Sequence, residues 1–253
     1  MLAFLLRHSL ILLTALLAAV CSDQPRYAVL ISANAEWRTV SASFPETKKS
    51  LSPWGEHFHT DIAGLPVLFF HGGWGKVAAA GSTQYVIDQF HPDILINLGT
   101  CGGIKGHAST FETILADRTV IYDIREAMGD SKEAIRHYET ALDLSWIASP
   151  YPVAVRKTLL VSADRDLQQD ELDSLHSTYG AVAGDWETGA IAHVASRNGT
   201  KLLILRGVSD VVSPKHAEAY GNPGLFISRT DTVMRKLLTD LPAWIEHLEK
   251  KRR

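Results

Sequence analysis

The chain has 253 residues, long enough for one large α/β domain with a full hydrophobic core. Its 25 Lys and Arg against 28 Asp and Glu leave a formal net charge of −3, which gives no electrostatic case for a nucleic-acid partner. Two cysteines, Cys21 and Cys101, are too few for a disulfide framework.

Arg7 and His8 precede an apolar run from Ser9 to Val20, of the length of a signal-peptide core. At about 1.5 Å per residue a helix over this run spans only about 18 Å, short of a bilayer core. Residues 1–21 are therefore read as a signal peptide or an N-terminal membrane or lipid anchor; Leu17-Ala18-Ala19-Val20-Cys21 loosely matches a bacterial lipobox. The protein is expected to be exported (periplasmic, secreted or membrane-anchored). A misassigned start codon ahead of a cytoplasmic enzyme is the alternative.

The folded domain is expected over residues 27–250. Residues 27–33, YAVLISA, are β-branched and apolar, as a buried parallel strand requires, and Asn34-Ala35-Glu36-Trp37 follows at once. Residues 38–64 contain Pro45 and Pro53 and read as helix and loop. A strand over 66–70 leads into His71-Gly72-Gly73-Trp74-Gly75-Lys76 and an Ala-rich helix over 77–90. This cluster is not a P-loop, because no Ser or Thr follows Lys76, which we read as structural. Strand 94–98 runs into a predicted loop, Gly99-Thr100-Cys101-Gly102-Gly103, whose bare N–H groups suit close approach to a small ligand or merely a tight turn.

Residues 113–123 have a strand pattern, 125–157 are polar and irregular, and strand 158–162 precedes Ala163-Asp164-Arg165-Asp166-Leu167. In 181–212, AVAGDWETGAIAHVASRNGTKLLILRGVSDVV, helical spacing runs from Trp186 to Arg197, opened by the acids Asp185 and Glu187 and stopped by Asn198-Gly199. A strand over 201–205 follows, with Asp210 just past its end. Helix starts and strand ends are where open α/β sheets put ligand contacts. Read blandly, Glu187 complements a helix dipole and Asp210 caps whatever follows. A terminal amphipathic helix over 225–248, interrupted near Pro242, completes the chain. Together these elements predict a three-layer α/β sandwich, a central mixed, mostly parallel twisted sheet flanked by helices.

The stretch GDWETGAIAHVASRNGTKLLILRGVSD resembles the C-terminal signature of the purine nucleoside phosphorylase and nucleosidase superfamily. The branch most like it is the 5′-methylthioadenosine/S-adenosylhomocysteine nucleosidases, and the resemblance runs from about Tyr27 to the end. It implies that Glu36 activates water and that Thr100 and Gly102 border the ribose and the nucleophile. It implies that Glu187 accepts hydrogen bonds from ribose hydroxyls, that Trp186 supplies an apolar ribose contact, and that Phe226 reaches the 5′ pocket. The Ser209-Asp210 pair ends the signature, with Asp210 the acid toward the purine N7. Asp166 stands where these nucleosidases have an aromatic ring stacked on adenine. Phosphorylases of the superfamily place a phosphate-binding arginine just ahead of the glycine loop; here Asn97 and Leu98 stand there.

Breaking an N-glycosidic bond produces an oxocarbenium-like sugar and a base carrying negative charge. Two separated carboxylates can divide the acid and base work, and a third can stabilise the cation. The expectation is hydrolysis of a purine nucleoside by Asp210 and Glu36, with no metal and no organic cofactor, by a homo-oligomer, a dimer favoured. The alternatives are a phosphate-dependent phosphorylase, with Arg38 as a substitute phosphate clamp, and a catalytically silent exported nucleoside-binding protein.

Overall fold

A computed structural model describes residues 25–147 and 149–250. The expected leader, 1–21, lies outside the described residues. The first strand, β1 (Tyr27–Ile31), is buried along its whole length and pairs in parallel with β4 (Leu65–His71) and β5 (Ile94–Ile104). Alternation along β1 and β5 shows that both faces of the sheet are covered. Tyr27, Val29, Ile94 and Ile96 enter one core cluster, and Ala28, Leu30 and Leu95 enter another. Helices α1 (Asn34–Ser43) and α6 (Pro223–Lys250) pack together on the first face, and α2 (Gly75–Phe90) and α5 (Thr188–Arg197) on the second. This is the expected three-layer α/β sandwich.

Several boundaries differ from expectation. The segment read as helix and loop contains the short β2 (Ser50–Leu51) and the seven-residue β3 (Glu56–Ile62). Strand β3 buries Phe58 and Ile62 and pairs antiparallel with β4. The irregular stretch 125–157 holds one helix, α3 (Ser131–His137), and the two-residue β7 (Thr140–Ala141). A further helix, α4 (Leu172–Tyr179), follows β8 (Arg156–Ser162). Helix α6 continues through Pro242 without interruption. Its seven buried apolar residues, among them Leu241, Trp244 and Ile245, each gain about 1.5–3 kcal/mol from burial, which outweighs the roughly 3 kcal/mol that an interior proline costs.

The largest departure concerns the glycine stretch and Asp210. Residues 99–103 are not a loop: β5 runs on to Ile104, paired in parallel with the 13-residue β10 (Lys201–Ser213). Asp210 accordingly lies inside a strand. Antiparallel β6 (Thr113–Ile121) flanks β10 and pairs in parallel with β8. Strand β9 (Ala183–Asp185) pairs with β8 on one side and with β5 on the other, closing β5, β10, β6, β8 and β9 into a ring. The last strand of the sheet, β11 (His216–Ala217), hairpins back on β10. Small residues allow the closure: a Cβ on Gly103 would lie 2.9 Å from Val208, and one on Gly184 would lie 2.9 Å from Leu167.

Candidate active site

The mouth of this ring opens into a cavity of about 650 Å³, a size that suits a small organic ligand. Every residue expected at the site lines it: Glu36, Thr100, Gly102, Asp166, Trp186, Glu187, Ser209, Asp210 and Phe226.

Glu36 sits at the third position of α1 and reaches back, its Oε2 accepting from the Ala33 N–H at 3.1 Å, half of a capping box. Its Oε1 accepts from the Thr100 N–H at 2.6 Å and from the Thr100 hydroxyl at 2.9 Å. A carboxylate offers about four acceptor positions. Three are taken, which leaves one for a ligand in the cavity.

Glu187 precedes the first residue of α5 but does not cap it. Capping falls to Asp185, whose Oδ1 accepts from the N–H groups of Glu187 and Thr188 and from the hydroxyls of Ser162 and Thr188. Relieved of that role, Glu187 turns inward, where its Oε1 accepts from the Gly75 N–H at 3.1 Å. Gly75 has φ +82°, a conformation that favours glycine, so the glycine turn before α2 presents a backbone donor to the site. Burial raises the Glu187 pKa well above the usual carboxylate range; Asp185 and Glu36 add to the shift and Arg206 opposes it.

Arg206 lies outside the sequence expectation, and it organises the site. The side chain is fully buried, with Asp185 at 3.1 Å, Glu36 at 3.6 Å and Glu187 at 3.8 Å. The Nε–Asp185 Oδ2 approach lacks hydrogen-bond alignment, so that attraction is ionic rather than directional. The guanidinium also donates to Asn97 Oδ1 at 2.9 Å and to the Thr100 carbonyl at 3.3 Å, and Asn97 is itself fixed by donating to the Leu30 carbonyl. Asn97 is thus the side chain that positions an arginine supplied from β10. A Cβ on Gly99 would lie 2.0 Å from the guanidinium, so glycine is required there.

Asp210 owes its direction to a β-bulge. Val208 pairs with Cys101 and Asp210 with Gly102, leaving Ser209 as the extra residue. The Ser209 hydroxyl donates to Asp210 Oδ1 at 2.7 Å. Burial raises the Asp210 pKa, the Glu218 charge adds to the rise, and the Ser209 hydrogen bond works against it. A carboxyl shifted in this direction is suited to hold and donate a proton.

Asp166 is exposed on the cavity wall and accepts from Trp186 Nε1 at 3.3 Å. Instead of a ring at that position, Tyr122 and Tyr220 bring aromatic surface to the cavity, and the Tyr220 hydroxyl donates to the Leu167 carbonyl at 2.7 Å. Lys76 faces away, pairing with Asp123 and Asp164 and tying α2 to the segments after β6 and β8. Among the described residues no group of three or more His, Cys, Asp or Glu is placed to hold a metal ion.

The model of the phosphorylase superfamily matches residues 17–241. The chain belongs to that superfamily. It is similar to a 5′-methylthioadenosine/S-adenosylhomocysteine nucleosidase of Buchnera aphidicola subsp. Acyrthosiphon pisum (strain APS), 26% identical over 57% of this chain and 67% of that protein. The enzyme of the same name from Actinobacillus succinogenes is 28% identical over 60% of this chain and 71% of its own length. Among solved structures, the S. pneumoniae nucleosidase with the transition-state inhibitor MT-ImmA superposes with a TM-score of 0.68 at 18% identity, covering 88% of this chain and 99% of that one. A Helicobacter pylori nucleosidase with butyl-thio-DADMe-Immucillin-A gives 0.70 at 15%, covering 91% and 98%. At these identities the structures establish the shared fold.

Proposed function

We propose that this member of the superfamily hydrolyses the N-glycosidic bond of a purine nucleoside, of the 5′-methylthioadenosine or S-adenosylhomocysteine kind, releasing the free base. Glu36 takes a proton from water as the water oxygen bonds to C1′. The C1′–N9 bond breaks with its electron pair passing to the base, and Asp210 gives its proton to N7. Glu187 accepts from the ribose hydroxyls, and the acids about C1′ favour the developing cation.

The observation that carries this reading is Arg206. It places a guanidinium beside the glycine stretch, where a phosphorylase needs one for phosphate, yet Glu36, Asp185 and Glu187 all lie within 4 Å of it. A phosphate dianion would meet a cation already outnumbered by acids, whereas neutral water meets no such repulsion. The test is a nucleoside panel with and without phosphate. Free base and free sugar in phosphate-free buffer are expected; a sugar 1-phosphate as main product would overturn the reading, and binding without turnover would make the protein a silent binder.

The proposal includes a homodimer. Leu51, Trp54, Trp74 and Val77 are exposed large apolar side chains, and Trp54 lies over Gly81 on the same helix that bears Val77. Light scattering that finds a monomer at all concentrations would refute this part. It also includes export by residues 1–21, supported by the basic pair ahead of the apolar run 9–20; recovery of the protein in the cytoplasm alone would count against it.

A further inference from the structure

Resting on the nucleosidase reading, we infer that Arg38 selects a nucleoside whose 5′ substituent carries an anionic group, a carboxylate or a phosphate. The cavity wall divides by chemistry. Asp210 and Ser209 mark the base end, Glu187 the ribose hydroxyls, and Glu36 the attacking water. On those assignments the wall toward α1 and the start of α6, with Asn34, Ala35, Arg38, Pro223 and Phe226, is left for the 5′ group.

Helix geometry separates Arg38 from the reacting centre. At about 100° per residue, Arg38 lies roughly 200° around α1 from Glu36, while it shares a stripe with Asn34 and Ala35, four and three residues back. Glu36 is fixed on Thr100, and Arg38 meets the same cavity from another side of α1. That side of α1 faces the start of α6, and it places Arg38 toward the 5′ end in this inference.

Charge gives the second argument. The lining carries five acidic side chains, Glu36, Asp166, Asp185, Glu187 and Asp210; burial favours the protonated form of Glu187 and Asp210, and the rest still leave the wall acidic, so an anion entering unaided is repelled. Arg206, behind the wall, is taken by three of them, and Arg165, which lines the cavity with Arg38, is held by Glu171 at 2.6 Å. Among the described residues no carboxylate pairs with Arg38, which is exposed and lines the cavity. An arginine fork placed there matches a carboxylate or phosphate in two-point geometry.

The experiment compares kcat/KM for two pairs of probes: S-adenosylhomocysteine against 5′-methylthioadenosine, and adenosine 5′-monophosphate against adenosine. Each is run with the wild type, Arg38→Met and Arg38→Lys. The expected result is a preference for the member that bears the carboxylate or phosphate in at least one pair. Arg38→Met lowers that preference about tenfold, on the scale of one charge-assisted hydrogen bond at a partly solvated site. The loss lies in KM, Arg38→Lys keeps part of the preference, and added salt shrinks it. The pair that responds tells carboxylate from phosphate. No preference in the wild type, or equal losses on both members of each pair, overturns the inference and leaves the nucleosidase reading standing. Cleavage of none of the four probes instead defeats that reading. Calorimetric binding of adenosine 5′-monophosphate against adenosine, to wild type and Arg38→Met, then decides the inference: the same tenfold change sustains it and equal affinities sink it.

Discussion

Replacing Arg206 with Met tests whether one buried cation holds the site together. The guanidinium has no exposed area, and three buried carboxylates lie 3.1 to 3.8 Å from it. Removing one partner of a buried ion pair costs about 3–5 kcal/mol, a large share of the roughly 5–15 kcal/mol that stabilises a domain. Here the methionine leaves three acids without their cation, so the upper end of that range is expected near neutral pH. The acids can escape by binding protons. Glu187, which burial already pushes up, loses the cation that opposed the rise, so the native state holds a proton that the unfolded state has lost. Stability is therefore retained below the unfolded pKa of Glu187 and lost as pH rises through the folded one. Urea unfolding, followed by tryptophan fluorescence at about pH 5 and about pH 8, should show a much smaller deficit against wild type at the acid value. If the variant does not fold at the higher pH, the acid measurement still stands, and Asp185→Asn added to Arg206→Met should recover stability by removing one uncompensated charge. A deficit below about 1 kcal/mol, or an equal deficit at both pH values, would refute the account.

Three further outcomes follow from the same geometry. Asp210→Asn keeps the Ser209 contact but removes the proton, so release of free base should slow by about 10²–10⁴-fold while the unfolding midpoint holds; near-normal turnover would take Asp210 out of the acid role. Glu187→Gln should lower kcat/KM for a riboside far more than for its 2′,3′-dideoxy analogue. Because burial holds the folded pKa of Glu187 above its unfolded value, the wild type loses stability as pH rises from the ordinary glutamate range toward that folded value. The Gln variant should lack this slope, and parallel pH curves would count against the shift. In Gly99→Ala the new Cβ would lie 2.0 Å from the guanidinium and 2.8 Å from Glu36 Oε1, so turnover should collapse, with the cavity acids displaced in a crystal structure; full activity would show that the wall can give.

Much of the fold is legible because parallel strands buried on both faces write themselves as apolar runs. YAVLI, ILINL and KLLIL are all strands of the sheet. Strand β3 is hidden from sequence reading because Pro45 and Pro53 suggest a loop, although Phe58 and Ile62 in EHFHTDI do recur on the even spacing of a half-buried edge. Arg206 had a readable signal too. An arginine inside an apolar run demands buried acids, and Asp185 and Glu187 stood nearby in the sequence. What no local pattern contains is that Glu36, some 170 positions before Arg206, supplies the third.

The bulge at Ser209 sets the limit of such reading most sharply. Along β10, Leu202, Ile204 and Val208 point into the core beneath α2 and α5, while Gly207 faces Val233 of α6. Strict alternation would send Asp210 after Val208 toward that apolar core. With one residue inserted, Val211 takes the core position instead, and Ser209 and Asp210 both line the cavity. The same insertion sets the Ser209 hydroxyl against the Asp210 carboxylate. A single extra residue in a strand thus separates an acid turned into the core from one turned into the cavity. Neither hydropathy nor spacing records that residue, because it exists only in the register between β10 and β5.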